Sequence, residues 1–92
     1  MIVRIAGEGQ FRLPDGHSAR LNELDNRAVS AVESGDETGF HELWRQMLEL
    51  VEADGEPVPD DELVESEVIL PPRDISFAEA QAEFSGEGLI PD

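Results

Sequence analysis

The chemistry this chain could perform rests on few residues. His17 and His41 are its only imidazoles. A hydrolytic triad needs a nucleophile, a base and an orienting acid within hydrogen-bond reach. His17 sits in the turn before a helical stretch, and His41 stands beside Phe40 on a stretch whose apolar face is already full. Neither has a nucleophile motif next to it, so both read as solvated surface histidines. Asp60-Asp61-Glu62 offers oxygens to a hard cation. It lacks the glycine register of a calcium loop, and adjacent aspartates in extended chain point apart, so it reads as a solvated acidic loop. Gly7-Glu8-Gly9-Gln10 is glycine-rich, but no lysine and no helix follow, and Glu8 puts a carboxylate where phosphate would sit. A hairpin turn fits it better. Trp44 lies within an apolar stripe, where it serves either core packing or a partly exposed anchor for a partner. No cysteine is present, which removes disulfides, thiolate metal sites and a cysteine nucleophile. No catalytic residue, cofactor or metal ligand is assigned.

The elements that must position these residues follow from periodicity. Residues 2–13 predict a β-hairpin: Ile2-Val3-Arg4-Ile5 and Gln10-Phe11-Arg12-Leu13 alternate, with Gly7-Glu8-Gly9 to reverse the chain. Val3 and Ile5 would share one face, and so would Phe11 and Leu13. Residues 18–34 predict a helix capped by Ser18 and closed by Gly35, with Leu21, Leu24, Ala28, Ala31 and Val32 as its stripe. Residues 37–53 predict a second helix, N-capped by Asp36 and striped by Phe40, Leu43, Trp44, Met47, Leu48 and Val51. Only Gly35-Asp36 separates the two, so 18–53 should form an antiparallel αα-hairpin. Residues 55–67, proline-rich and acidic, read as an irregular, exposed loop. Val68-Ile69-Leu70 predicts a short third strand that would join the hairpin, since two strands alone are poorly stable. Ser76-Phe77-Ala78-Glu79 fits a capping box opening a short helix over 76–84, and a tail containing Leu89-Ile90 follows. The fold class is a small single α+β domain over residues 1–92.

Composition narrows the function further. The net charge is −16, from 22 acidic residues against six arginines and no lysine. Such a surface is repelled by phosphate backbones and anionic lipid, which argues against direct nucleic-acid or membrane binding and favours partners with a basic surface. A proteome-wide acidic habit, from salt adaptation or a GC-rich genome, explains the same number and stays open. The apolar N-terminus is short and interrupted by Arg4, so it fails as a signal peptide or membrane span. An unstapled domain of this size fits a reducing, cytoplasmic setting.

The ordered motifs resemble a known family. Met1-Ile2-Val3-Arg4-Ile5 with Gly7-Glu8-Gly9-Gln10-Phe11-Arg12-Leu13, then Leu21-Asn22-Glu23-Leu24-Asp25-Asn26, Gly35-Asp36-Glu37, Phe40, Gly55, Pro57, Asp60-Asp61-Glu62-Leu63, Ile69-Leu70-Pro71-Pro72, Asp74 and Gly88-Leu89-Ile90-Pro91 are similar to PspAA, the phage shock protein A-associated domain. Phe11 departs from the pattern, which has tyrosine there. The resemblance implies a non-enzymatic accessory or regulatory role in the phage-shock envelope-stress response. The implied partner is a coiled-coil, membrane-remodelling PspA-type protein, which would recruit this chain to the inner face of the membrane. The expected partner-binding residues are the acidic Asp60, Asp61 and Glu62 and the apolar Phe11, Leu89 and Ile90. The alternatives are a stand-alone acidic regulator such as a DNA-mimic inhibitor, and a small metal-binding protein.

Overall fold

The computed structural model describes residues 1–62, 64–84 and 88–89. The hairpin forms as its glycines require: β1 (Ile2–Ile5) pairs antiparallel with β2 (Gly9–Arg12), Val3 opposite Phe11 and Ile5 opposite Gly9. Gly7 and Gly9 turn the chain at φ +81° and +116°, a region that side-chain-bearing residues rarely enter. Alternation along β1 sends Val3 and Ile5 into the core and leaves Arg4 exposed. Leu13, just past β2, is also buried.

Helix α1 spans Asp15–Glu33, its N-cap four residues earlier than the Ser18 cap that the sequence predicts. Pro14 occupies the N-cap in an extended conformation without a side-chain cap. Its ring fixes φ at −60° in that extended conformation, and Asp15 adds an acid in the first turn. Ser18 then lies inside the first turn, its hydroxyl directed to the Pro14 carbonyl at 3.4 Å. Gly35, at φ +75°, closes the helix as expected. Helix α2 spans Glu37–Asp54, and the Asp36 carboxylate caps it by accepting from the Gly39 amide at 3.0 Å.

The two long helices pack against one face of the sheet through their stripes. Leu21, Leu24, Ala28 and Val32 from α1 and Phe40, Trp44, Met47, Leu48 and Val51 from α2 are buried, joined by Val3, Ile5, Val68 and Leu70. Phe40 is the hub of an aromatic cluster, its centroid 5.1 Å from Phe84, 6.0 Å from Phe77 and 6.5 Å from Trp44. Trp44 is a core residue, and its indole N–H donates to the Arg73 carbonyl at 3.2 Å.

Residues 55–67 are not wholly irregular or exposed. Glu56–Pro57 form a two-residue strand, β3, antiparallel to β2, and Val58 beyond it is buried with its N–H on the Gln10 carbonyl at 2.9 Å. The cause is tertiary: Pro57 falls opposite Phe11 in the ladder. Gly55 permits this approach, because a Cβ there would lie 2.4 Å from the Val51 carbonyl oxygen and 3.2 Å from the Phe11 Cβ. The expected strand Val68–Leu70, here β4, joins β1 in parallel with Arg4 opposite Ile69, giving a mixed sheet in the order β3-β2-β1-β4. Helix α3 (Phe77–Glu83) has the expected capping box between Ser76 and Glu79. The molecule is an α+β fold with an N-terminal hairpin.

Candidate partner-binding surface

The helices cover the sheet face that carries Val3, Ile5 and Phe11. Alternation assigns Ile2, Arg4, Gln10, Arg12 and Ile69 to the other, outer face. From that outer face, the Gln10 amide donates to the Val64 carbonyl at 3.0 Å and the Ser66 hydroxyl at 2.7 Å. Arg12 holds Glu62 at 2.6 Å. Glu67 then donates its N–H to the Ile2 carbonyl at 2.8 Å as the chain enters β4. The acidic connection is therefore a crossover: it leaves β3 at one edge, runs over the outer face of β2 and enters β4 at the opposite edge. Two of its carboxylates, Asp60 and Asp61, are exposed in a turn closed by the Glu62 N–H on the Pro59 carbonyl at 3.0 Å.

The sequence-expected residues are not assembled into one patch. Asp60, Asp61 and Glu62 lie with the crossover on the outer face, and Glu62 is engaged by Arg12. Phe11 is half-buried on the inner face, beneath Gly55 and opposite Pro57. Leu89 is half-buried and packs against the core. Its N–H donates to both carboxylate oxygens of Asp25, each at 3.1 Å. Ile90 lies outside the described residues.

Three residues that matter here were not singled out by spacing. Asp25 is fully buried on α1, four positions after Leu21 and so on the apolar stripe, which is the signal that marks it. Ile69 is 62% exposed, the one large hydrophobic so exposed among the described residues. Its alternation between buried Val68 and Leu70 marks it as outward. Arg4, opposite Ile69, is exposed, and among the described residues it has no ion pair.

Several other charged groups are paired. Arg73 binds Glu8 at 2.8 Å and also Glu52, joining the hairpin turn to α2. These hydrogen bonds, Glu8 foremost, raise the guanidinium above its ordinary pKa. Glu49, Glu52, Ala53 and Arg73 line a shallow depression at the same place. On the exposed face of α2, the hydrogen bond from Arg45 holds the Glu42 carboxyl below its ordinary value. His17 Nδ1 meets Asp54 at 3.1 Å, tying the start of α1 to the end of α2, while His41 lies edge-on to Phe40 at 5.3 Å. The two histidines thus serve different neighbours, and the hydroxyl beside His17, that of Ser18, faces backbone.

Among the described residues, no group of three or more His, Asp or Glu is placed to hold a metal ion. No helix among them is long and apolar enough to cross a membrane. The arrangement offers exposed carboxylates, one exposed aliphatic side chain and one unpaired guanidinium on the outer face, which are means of binding. Comparison with curated proteins and comparison with solved structures give no match. A family model described as PspA-Associated protein matches residues 1–92, the whole chain, and the protein belongs to that PspAA family.

Proposed function

We propose that this chain is a non-catalytic accessory protein of the phage-shock envelope-stress response. It binds a coiled-coil, membrane-remodelling protein of the PspA type and meets the membrane only through that partner. The observation that carries the reading is the family match over the whole chain, to proteins described as PspA-associated. Charge supplies the physical constraint. A body of net charge −16 is repelled by anionic lipid, whereas a basic stretch on a partner attracts it. The exposed carboxylates of Asp60 and Asp61 contribute to encounter more than to holding, because rim charges act mainly on association rate.

The test is co-purification of the tagged chain with the PspA-type protein of the same genome, followed by liposome flotation with and without that protein. Recovery of the partner, and flotation on anionic vesicles only when it is present, support the proposal. Asp60→Asn with Asp61→Asn should slow association and flatten its salt dependence. Flotation of the chain alone, or recovery of a nucleic-acid-binding protein in place of the PspA-type one, overturns it.

A further inference from the structure

The sheet is clad unevenly. Its inner face carries the core, and the crossover lies over the outer face of β2 through Gln10 and Arg12. What stays bare is the part of the outer face where Ile69 of β4 and Arg4 of β1 stand side by side. The β1–β4 pair is the parallel one. Parallel strands in all-parallel sheets are covered on both faces, while antiparallel sheets tolerate water on one side. An exposed isoleucine on the parallel side marks a face without a second cover. Glu67, two residues before Ile69 and so on the same face by alternation, is exposed and acidic, as is Glu65 earlier in the crossover.

We infer that this bare face seats an amphipathic helix of the partner protein. The helix places an aliphatic side chain on Ile69, a carboxylate on Arg4, and lysine or arginine against Glu65 and Glu67. The inference rests on the proposed partner and specifies how it is held. Charge complementarity selects the occupant. A second copy of this chain would bring −16 against −16 and, in a two-fold arrangement, like patches against each other. An added strand would find an edge only three residues long, Val68–Leu70, ended by Pro71-Pro72, and short edges closed by proline resist such pairing. A helix lies across the face and needs no edge. Mixed acidic and basic flanks beside an aliphatic seam are what coiled-coil helices carry.

Binding of the full-length PspA-type protein to wild type, Ile69→Thr and Arg4→Glu is the experiment. Threonine keeps the β-branched shape that suits a strand, and both positions are exposed, so melting temperatures should match wild type. The expected result is a dissociation constant raised about tenfold or more by each substitution. If wild type binds and both variants bind within about twofold of it, the helix seat is wrong while the partner stands. If wild type does not bind, the partner reading fails, and the seat is judged separately. Isoleucine methyl spectra are then followed while a synthetic amphipathic helix, with a leucine stripe flanked by lysine and glutamate, is titrated in. Shifts at Ile69 and Ile2, with the buried Ile5 and Ile75 still, support the seat. Unmoved Ile69 methyls overturn it.

Discussion

Asp25 places a carboxylate with no exposed surface on the helix face that packs the core. Burying such a group is costly unless its oxygens are satisfied, and here both accept from the Leu89 N–H. The neighbouring Gly88 adopts φ +84°, and a Cβ at that position would lie 2.6 Å from an Asp25 oxygen. Two variants test this fastening from either side. Asp25→Ala leaves the Leu89 amide without its acceptor and should lower unfolding free energy by about 1–3 kcal/mol. The exchange of that amide with solvent deuterium should accelerate in step. Gly88→Ala strains the backbone and crowds the same carboxylate, so it should lower the melting temperature too. An unchanged melt for both would mean the contact carries no weight. Gly55→Ala probes the other close approach. It should cost about 1–3 kcal/mol in a denaturant melt, because the added methyl collides with the Val51 carbonyl and crowds Phe11.

Among the elements, the crossover is held chiefly by one side chain. The Gln10 amide makes both of its contacts to residues 64 and 66, and Arg12 adds an exposed ion pair to Glu62. Gln10→Ala should cost only about 1 kcal/mol globally. It should nonetheless speed cleavage by a glutamate-specific protease at Glu62, Glu65 and Glu67, since local opening governs such cuts. Equal cleavage rates would place the restraint elsewhere. This element also marks where sequence stops being informative. Both long helices could be read from their stripes, because side chains three and four apart share a face whatever the rest of the chain does. The start of α1 lies elsewhere than the sequence suggests because Ser18 looks like a cap, whereas the N-cap position is Pro14, which offers no capping side chain. Strand β3 has no local pattern at all: Glu56-Pro57 becomes a strand because Phe11 is there to face it. Nothing in residues 55–67 encodes which face of the sheet they cross. That choice is made by Gln10, far away in sequence. The acidic turn at Asp60 and Asp61 was legible from composition alone. The outward aspect of Ile69 was available from alternation, yet it gains meaning only once β4 is seen beside β1 in parallel.

At the scale of the whole molecule, charge dominates. Arg12, Arg20, Arg45 and Arg73 are in ion pairs, but 22 acidic residues leave most carboxylates unopposed. Self-repulsion of this kind weakens with salt, as the screening length falls from ~10 Å at 0.1 M to ~3 Å at 1 M. The melting temperature should therefore rise between those two sodium chloride concentrations. A flat response would show that the carboxylates are too dispersed to repel one another. The sheet order carries a different kind of consequence. Strand β1 lies between β2 and β4, and Val3 and its partner in β4, Val68, are far apart along the chain. During synthesis the hairpin and both long helices leave the ribosome before β4 does, because they precede it in the chain. For that interval the β1 edge is open, beside core side chains that β4 has yet to cover. Contacts so distant in sequence form late and slowly, and open strand edges on nascent chains are where misassembly begins. The same crossover that clads the finished sheet thus delays its closure until β4 has emerged, and the β1 edge stays open to wrong partners for that interval.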